Sequence, residues 1–204
     1  MIAIIDYGAG NIQSVYKAFR HIGCECRITS DRDEILAGDA AVFPGVGSFG
    51  DTVDTLNKLG IKGSIIDFIK SGKPFLGICL GLQLLFPASE ESPDAEGLGI
   101  FDGSITRIPN GEGLKIPHIG WNSLEIDPES RLLKGIEQGA YTYFVHSYFL
   151  NAADRSIVSA QTEYGVRIDA AIEKDNVFAT QFHPEKSGET GLAILRNFAE
   201  IAEG

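Results

Sequence analysis

The chain has 204 residues, which fits a single domain over residues 1–204 with a sizeable core and leaves no room for a second catalytic domain of ordinary size. Its formal net charge of −11 would repel phosphate backbones and anionic lipid, so we expect neither nucleic acid nor a membrane surface as a partner. The odd count of three cysteines argues against a disulfide framework, and the chain starts without a signal-peptide pattern, so we expect a reducing, cytoplasmic location.

The first part of the chain, up to about residue 90, alternates short apolar segments with helical patterns. The apolar segments predict four strands: Ile2–Asp6, Cys24–Thr29, Ala40–Phe43 and Phe75–Ile78. The spacing of apolar residues predicts a helix over Ile12–Ile22 and another around Ile61–Ile69 that ends at Gly72. Apolar strands separated by helices predict an α/β fold, in which a parallel sheet is covered on both faces.

Two local patterns imitate binding sites without completing them. The predicted turn Gly8-Ala9-Gly10, with Asp31 further along, resembles a dinucleotide fingerprint, but Gln13 replaces its third glycine and would crowd the helix against the sheet. Cys24 and Cys26 have no second pair to complete a zinc site, and we interpret both as buried strand residues.

Beyond about residue 97 the pattern changes to closely spaced strands separated by Gly, Asp and Asn turns. The predicted strands are Ile100–Ile108, Ser123–Ile126, Tyr141–Leu150, Ile157–Gln161, Ala170–Glu173 and Val177–Phe182. We expect them to form an antiparallel extension beside the parallel sheet. A final helix is expected to close the fold, with one apolar face made by Leu192, Leu195, Phe198 and Ala202.

Cys79 lies where the fourth predicted strand changes to a helical pattern, in the segment Gly77-Ile78-Cys79-Leu80-Gly81. The flanking glycines match a nucleophile elbow with sulfur in place of oxygen, because a tight, strained turn needs neighbours without side chains. The turn would also place Cys79 at a helix N-terminus, where the helix dipole favours the thiolate. The alternative is an inert buried cysteine on an apolar strand, and the paired glycines favour the reactive one.

His183 and Glu185 are candidates for the base that a thiol nucleophile needs and for the group that orients this base. They follow an apolar strand, and strand side chains alternate, so both would point to the same side if the extended geometry persists. Pro184 would help by holding His183 extended. The alternative is a solvated surface pair, which the presence of Cys79 disfavours.

The elbow Gly77–Gln83 together with Phe182–Ser187 resembles the class I, triad-type glutamine amidotransferases. Within this class, three further segments resemble the glutaminase subunits of imidazole glycerol phosphate synthase: Asp6–Asn11, Lys115–Asn122 and Tyr143–Tyr148. The resemblance covers essentially the whole chain and implies glutamine as substrate, no cofactor and no metal. The fold we predict is accordingly α/β and flavodoxin-like, with a mostly parallel sheet flanked by helices and an antiparallel strand extension in the second half.

The resemblance implies a role for each matching residue. Cys79 would be the nucleophile, His183 the base and acid, and Glu185 the residue that orients it. The backbone amides of Val46 or Gly47 and of Leu80 would hold the oxyanion, although the same loop also fits a plain helix start with Ser48 as N-cap. Substrate contacts would come from Gln83, Glu91, His146, Ser147 and Tyr148. Partner contacts would come from Asn11, His118, Trp121 and Lys186.

The resemblance also implies the partner, because a glutaminase without an acceptor domain needs a protein that uses the ammonia. That partner would be a (β/α)8-barrel cyclase, which forms a heterodimer with this chain and makes imidazole glycerol phosphate in histidine biosynthesis. Trp121 lies in a segment that we predict to be too irregular for a sheet interior. A lone tryptophan fits either a core position or an interface, and the resemblance implies the interface. We expect docking to reorient a peptide at Pro44–Gly47, so that the isolated subunit is weakly active.

Three alternative functions remain open on the sequence. The chain could be the glutaminase subunit of another amidotransferase, a stand-alone γ-glutamyl cysteine hydrolase that needs no partner, or a non-catalytic binding subunit. The last has little reason to retain Cys79, His183 and Glu185 together.

Overall fold

The computed structural model describes residues 1–8, 10–111 and 113–204, so Ala9 of the predicted turn lies outside the described residues. Helices occupy Ile12–His21 (α1), Arg32–Ala37 (α2), Phe49–Leu59 (α3), Lys62–Lys70 (α4), Leu80–Gln83 (α5) and Gly188–Glu203 (α6). Strands occupy Ile2–Ile5 (β1), Cys26–Thr29 (β2), Ala40–Gly45 (β3), Phe75–Cys79 (β4), Ala88–Ser89 (β5), Gly103–Arg107 (β6), His118–Ser123 (β7), Glu125–Ile126 (β8), Tyr141–His146 (β9), Tyr148–Ala152 (β10), Val158–Glu163 (β11), Arg167–Lys174 (β12) and Val177–Thr180 (β13). Single turns of 3-10 helix lie at Arg155–Ile157 and Pro184–Lys186.

Five strands form a parallel sheet in the order β2-β1-β3-β4-β13. Each neighbouring pair in this half is parallel, so the carboxyl ends of these strands lie along one edge. This is the strand order of flavodoxin-like sheets, in which ligands bind outside the carboxyl ends of the strands. The predicted α/β, flavodoxin-like fold is confirmed.

The second half of the chain supplies the antiparallel extension that the sequence predicts. β13 pairs antiparallel with β12, and the sheet continues through β10 to β6. β11 pairs with both β12 and β8. β7 and β9 form a separate, small two-stranded antiparallel sheet.

Unlike the edge strand β2, which carries exposed Arg27, strands β1, β3 and β4 are apolar throughout because both faces of the sheet are covered there. Neighbouring side chains of β3 show this, since Phe43 packs in one apolar layer and Val42 in the other. Helices α3 and α4 cover the first layer, with Phe49, Val53, Leu56, Ile65, Phe68 and Ile69. Helices α1 and α6 cover the second, with Val15, Phe19, Ile194, Leu195 and Phe198.

Two helix boundaries follow from single residues, as the sequence predicts. The Ser48 side chain accepts a hydrogen bond of 3.3 Å from the Asp51 amide and so caps the start of α3. Helix α4 ends at Lys70, and Gly72 follows with φ of 80°, a left-handed conformation that costs glycine little.

Several predicted elements in the second half have different bounds. Ile100–Ile108 is a strand only over Gly103–Arg107, and the strand predicted at Tyr141–Leu150 is divided into β9 and β10 at Ser147. The segment around Trp121, predicted to be irregular, is strand β7, paired with β9 residue by residue from His118–His146 to Ser123–Tyr141. The prediction of an irregular backbone was wrong, because the strand accommodates Gly120 with φ of 142°.

Two predictions near the cysteines also need correction. The apolar run after Cys79 is helical only over Leu80–Gln83, because the carbonyls of Leu84 and Leu85 accept hydrogen bonds from a returning loop instead of from a further helical turn. The helix dipole that we expected at Cys79 therefore comes from a single turn. Cys26 is a buried strand residue as predicted, but Cys24 lies outside β2 and is partly exposed.

Candidate active site

Cys79 ends β4 at the carboxyl edge of the parallel sheet, with φ of 55° and ψ of −103°. Such a backbone conformation is strained for a residue with a side chain and persists only where the surroundings enforce it. The flanking glycines provide that space: a Cβ on Gly81 would lie 2.0 Å from the Phe43 carbonyl oxygen, and one on Gly77 would lie 2.7 Å from the Gly81 carbonyl oxygen. The geometry is that of a nucleophile elbow.

His183 and Glu185 meet through a hydrogen bond of 2.8 Å between Nδ1 and Oε1, and both side chains are buried. The alternation of a strand does not bring them together, because β13 ends at Thr180 and Pro184–Lys186 form one turn of 3-10 helix. This part of the prediction was wrong. His183 itself is extended, with φ of −102° and ψ of 96°, as expected for a residue before proline.

The backbone of His183 is tied to strand β9. Its amide donates to the Tyr143 carbonyl at 2.9 Å, and the Ser187 hydroxyl donates to its carbonyl at 2.7 Å. The Ser187 oxygen in turn accepts from the Tyr143 amide at 3.0 Å. On the other side, the Asn11 side chain donates to the same Glu185 oxygen that His183 contacts. The imidazole is therefore held by both its backbone and its carboxylate partner.

The electrostatics of His183 favour its charged form. Burial alone would lower its pKa, but the interaction with the nearby Cys79 sulfur, followed by that with Glu185, outweighs burial and raises the pKa. The Nε2 atom is buried and without a hydrogen-bond partner among the described residues. An imidazole with a raised pKa and a free nitrogen can pass a proton to a leaving group.

Gln181 is a site residue that the sequence reasoning missed. It is buried, and its Nε2 donates to the Cys79 sulfur at 3.6 Å. Its Oε1 accepts from Gln83 Nε2 at 3.2 Å. A donor aimed at the sulfur stabilises a thiolate. The sequence signal was a large polar side chain in the otherwise apolar run before His183. It could have indicated a site residue, because a buried polar side chain needs specific hydrogen-bond partners.

A cavity of about 250 Å³ opens beside Cys79. Nine predicted site residues line it: Val46, Gly47, Cys79, Leu80, Gln83, Glu91, His146, Ser147 and Tyr148. Pro117 and Val145 also line it, and the sequence reasoning had not assigned them. A larger depression of about 780 Å³ lies between the N-terminus and α6, but it includes none of the predicted residues. We assign the candidate site to the smaller cavity because the strained Cys79 lines it.

The predicted oxyanion loop reaches the cavity because β3 and β4 run parallel with Gly45 opposite Cys79. The loop after β3 therefore passes beside the sulfur. Gly47 has φ of 122°, which a residue with a side chain rarely adopts. Leu80 is the first residue of α5, and amides in the first turn of a helix have no acceptor within that helix. The Leu80 amide therefore has no acceptor within α5 and can donate to a negatively charged oxygen.

The polar atoms of the predicted substrate residues differ in how many hydrogen bonds they already make within the protein. Glu91 Oε2 accepts from the Phe49 amide at 2.7 Å at the start of α3, which leaves its second oxygen for a cationic group. Gln83 Nε2 donates to the Tyr148 carbonyl at 2.9 Å as well as to Gln181. The amide nitrogen of Gln83 is thus occupied within the protein.

The four predicted partner residues have different surroundings. Trp121 is 55% exposed, and Lys186 is exposed with its ammonium 6.0 Å from the centre of the Tyr143 ring. Asn11 contacts Glu185. His118 is only 3% exposed, so its side chain cannot itself touch a docked protein, and the direct contact predicted for it does not fit.

The residues that the structure describes contain neither a cluster of metal ligands nor a membrane-spanning helix. Among residues 1–8, 10–111 and 113–204, no three or more His, Cys, Asp or Glu side chains cluster as metal ligands would. In the same residues no helix combines the length and apolarity needed to cross a bilayer.

Comparison with known proteins gives consistent similarities. Residues 3–202 match the family model for Glutamine amidotransferase class-I. The chain is 54% identical over 201 residues to imidazole glycerol phosphate synthase subunit HisH of Caldanaerobacter subterraneus subsp. tengcongensis, covering 98% of each chain. It is 53% identical over 201 residues to the subunit HisH of Methanothermobacter thermautotrophicus, again covering 98% of each. A solved glutamine amidotransferase structure superposes with a TM-score of 0.78 at 18% identity over 100% of both chains, and PurLQS from Thermotoga maritima with 0.76 at 21% identity over 98% and 97%. At these identities the two structures establish the fold alone.

Proposed function

The chain belongs to the class-I glutamine amidotransferase family, and from this we infer that it is the glutamine amidotransferase subunit of an imidazole glycerol phosphate synthase, which acts in histidine biosynthesis. It hydrolyses glutamine to glutamate and ammonia. The observation that carries this assignment is the strained Cys79 thiol, which lines the cavity and has the buried His183–Glu185 pair next to its sulfur.

The proposed reaction begins with a thiolate–imidazolium pair, which the raised pKa of His183 supports. The Cys79 sulfur bonds to the side-chain amide carbon of glutamine, and the backbone amides of Gly47 or Val46 and of Leu80 hold the oxyanion. Each such donor is typically worth roughly 3 kcal/mol in the transition state. As the carbon–nitrogen bond breaks, the proton of His183 passes to the nitrogen, and ammonia leaves a thioester on Cys79.

In the second half of the reaction, His183 takes a proton from water while the water oxygen bonds to the thioester carbon. The carbon–sulfur bond then breaks, glutamate is released and the thiolate is restored. Glu185 keeps the imidazole oriented through both steps, and Asn11 holds Glu185. The free oxygen of Glu91 binds the ammonium group of the substrate.

The ammonia must reach an acceptor before it is protonated in water, so the subunit needs a partner. We propose a (β/α)8-barrel cyclase that forms a heterodimer with this chain, in the cytoplasm. The docking face is the outer face of the small sheet formed by β7 and β9. Exposed Ile119 and Trp121 of β7 and exposed Tyr141 of β9 lie there, opposite Val145, Tyr143 and Ser123 respectively. Exposed aromatic and aliphatic side chains of this kind are typical anchors of interfaces.

The docking face is continuous with the site, which supports regulation by the partner. Val145 lines the cavity, and its carbonyl oxygen lies 4.0 Å from the Cys79 sulfur. Docking can therefore alter the cavity wall and the peptide at Pro44–Gly47 that completes the oxyanion hole. The isolated subunit is then weakly active and the complex is active.

The assignment is tested by glutamate release from glutamine, with and without the purified cyclase subunit. Cys79→Ala should abolish hydrolysis while fold and complex formation persist, because only the nucleophile is lost. Glu185→Gln should cost less, since an orienting residue contributes less than a nucleophile. Cys26→Ala, a buried thiol elsewhere in the core, is the matched control and should remain active.

Residual activity of Cys79→Ala within roughly tenfold of wild type would exclude the proposed nucleophile. An isolated subunit that is fully active on glutamine or γ-glutamyl peptides, unaffected by the cyclase, would instead favour a stand-alone hydrolase.

A further inference from the structure

The inner face of the small sheet carries two buried histidines in direct contact. His118 of β7 and His146 of β9 are opposite each other in the register, with His118 Nδ1 3.2 Å from His146 Nε2. The His118 ring is stacked between Phe144 and Tyr164, with ring centres 5.0 and 3.8 Å away. None of the catalytic steps above uses His118, and the polar contact of a buried residue needs its own explanation.

The hydrogen-bond partners determine which nitrogen of each ring carries the hydrogen. Burial lowers the pKa of His118 to about 4 and that of His146 to about 3, so both rings are neutral near neutral pH. His146 Nδ1 lies 2.9 Å from the Tyr148 carbonyl, which only accepts, so Nδ1 carries the hydrogen and Nε2 is an acceptor. The hydrogen bond between the rings must then come from His118 Nδ1.

These bonds continue without interruption to the nucleophile. The Tyr148 carbonyl that accepts from His146 also accepts from Gln83 Nε2. Gln83 donates to Gln181, and Gln181 donates to the Cys79 sulfur. Every polar group in this series lies within hydrogen-bond reach of the next. The series begins on β7, three residues from Trp121 of the docking face.

We propose that His118 is a positioning residue: its Nδ1 hydrogen fixes the His146 ring and thereby the segment His146–Tyr148 that faces the substrate. This proposal rests on the proposed function and adds a residue that contacts neither substrate nor sulfur. Since β7 carries Trp121 on its outer face and His118 on its inner face, a partner that moves β7 also moves the donor that holds the cavity wall.

The test compares two replacements of His118 in the complex with the cyclase. His118→Phe keeps an aromatic ring in the stack but removes the donor, so the KM for glutamine should rise about fivefold to tenfold, the effect of one lost hydrogen bond, with a smaller change in kcat. His118→Asn loses the stacked ring but retains an N–H at the Nδ1 position, so it should restore a KM near that of wild type. Tyr164→Phe, which keeps the stack and loses only a hydrogen bond to Lys115, is the matched control with unchanged KM.

A purely structural role predicts the opposite order, with Asn worse than Phe, and that result would overturn the proposal. Nitrogen-15 NMR of labelled histidine in wild type supplies a readout independent of activity and of variant folding. Hydrogen on Nδ1 of both rings is expected, and hydrogen on Nε2 of His146 would overturn the proposal. If wild type releases no glutamate with the cyclase, the proposed function fails, whereas the NMR result still decides whether His118 donates to His146.

Discussion

At the scale of single residues, the site depends on a backbone conformation that Cys79 would not adopt alone. Its positive φ is maintained by close packing between the β4–α5 turn and the neighbouring strand β3. Gly81 is the tightest point of this packing, because its α-carbon faces the Phe43 carbonyl with no room for another atom. Strain at a reactive residue is commonly maintained in this way.

Gly81→Ala should therefore destabilise the protein by about 3 kcal/mol and abolish glutaminase activity, because the new methyl group must displace backbone atoms. Gly63→Ala is the control: a Cβ there meets no atom within 4 Å, and the position lies in helix α4. It should stabilise the protein by about 0.5 kcal/mol. Urea unfolding measures both. Equal effects of the two substitutions would contradict the packing argument.

The titration of His183 provides a second prediction at this scale. Its pKa is raised above the ordinary 6.5 by Cys79 and Glu185 against the effect of burial, so the folded protein binds this proton more strongly than the unfolded chain. The resulting stabilisation is fully present below pH 6.5 and is lost as pH rises through the raised pKa. Cys79→Ala removes the interaction between the sulfur and the imidazole and should lower the pKa of His183, as followed by NMR titration. Cys26→Ala should leave it unchanged, and an identical titration in all three proteins would disprove the coupling.

At the scale of elements, the antiparallel half is joined by one buried carboxylate. Asp169 on β12 is 2% exposed and accepts from both terminal nitrogens of Arg155, from Gln161 Nε2 and from the Ala152 amide. It thus connects β10, β11 and the short 3-10 turn at a point where the β11–β12 register shifts. This carboxylate therefore ties the strands of the antiparallel extension to one another.

Asp169→Ala should cost about 2–3 kcal/mol, because it leaves the Gln161 side chain and the Ala152 amide without their acceptor, while the half-exposed Arg155 is solvated by water. Lys174→Ala, which removes an exposed ion pair with Asp154, should cost at most about 1 kcal/mol. The comparison is made by urea unfolding at fixed pH. Asp169→Ala with the small cost of the surface variant would show that the carboxylate is not needed for the extension.

At the scale of the whole molecule, topology brings distant segments to one edge of the sheet. The loop after β3, the end of β4 and the segment after β13 all lie at the carboxyl edge. The small β7–β9 sheet adjoins the same edge, since the Tyr143 carbonyl accepts from the His183 amide. One surface of the molecule therefore carries both the candidate site and the exposed apolar face of β7 and β9.

If the partner is the proposed cyclase, Trp121→Ala should raise the Kd of their complex by roughly 30-fold, about 2 kcal/mol, as for a central interface aromatic. The free subunit should keep its stability, because the indole is more than half exposed. Leu59→Ala is the matched control, since Leu59 is an exposed apolar residue at the far end of α3. Calorimetry on the two variants measures the effect. Equal Kd values, or a Trp121→Ala protein that unfolds, would contradict the docking face.

The sequence by itself determined the features that depend on a few neighbouring residues. The apolar runs of β1, β3 and β4, the helix stop at Gly72, the cap at Ser48 and the glycines around Cys79 could all be predicted. These follow from side-chain periodicity and backbone sterics, which act within one turn or strand. The pairing of His183 with Glu185 was predicted for the wrong reason, since a 3-10 turn and not strand alternation brings them together.

Only the tertiary structure decided the contacts between segments far apart in the chain. Gln181 meets Cys79 across 102 positions, and His118 is buried against His146 because β7 pairs with β9. The spacing of residues in the sequence predicts neither contact. The choice of neighbouring strands depends on the burial of all apolar faces of the molecule together. For the same reason the sequence indicated a triad, while the hydrogen-bonded residues that position it became visible only in the fold.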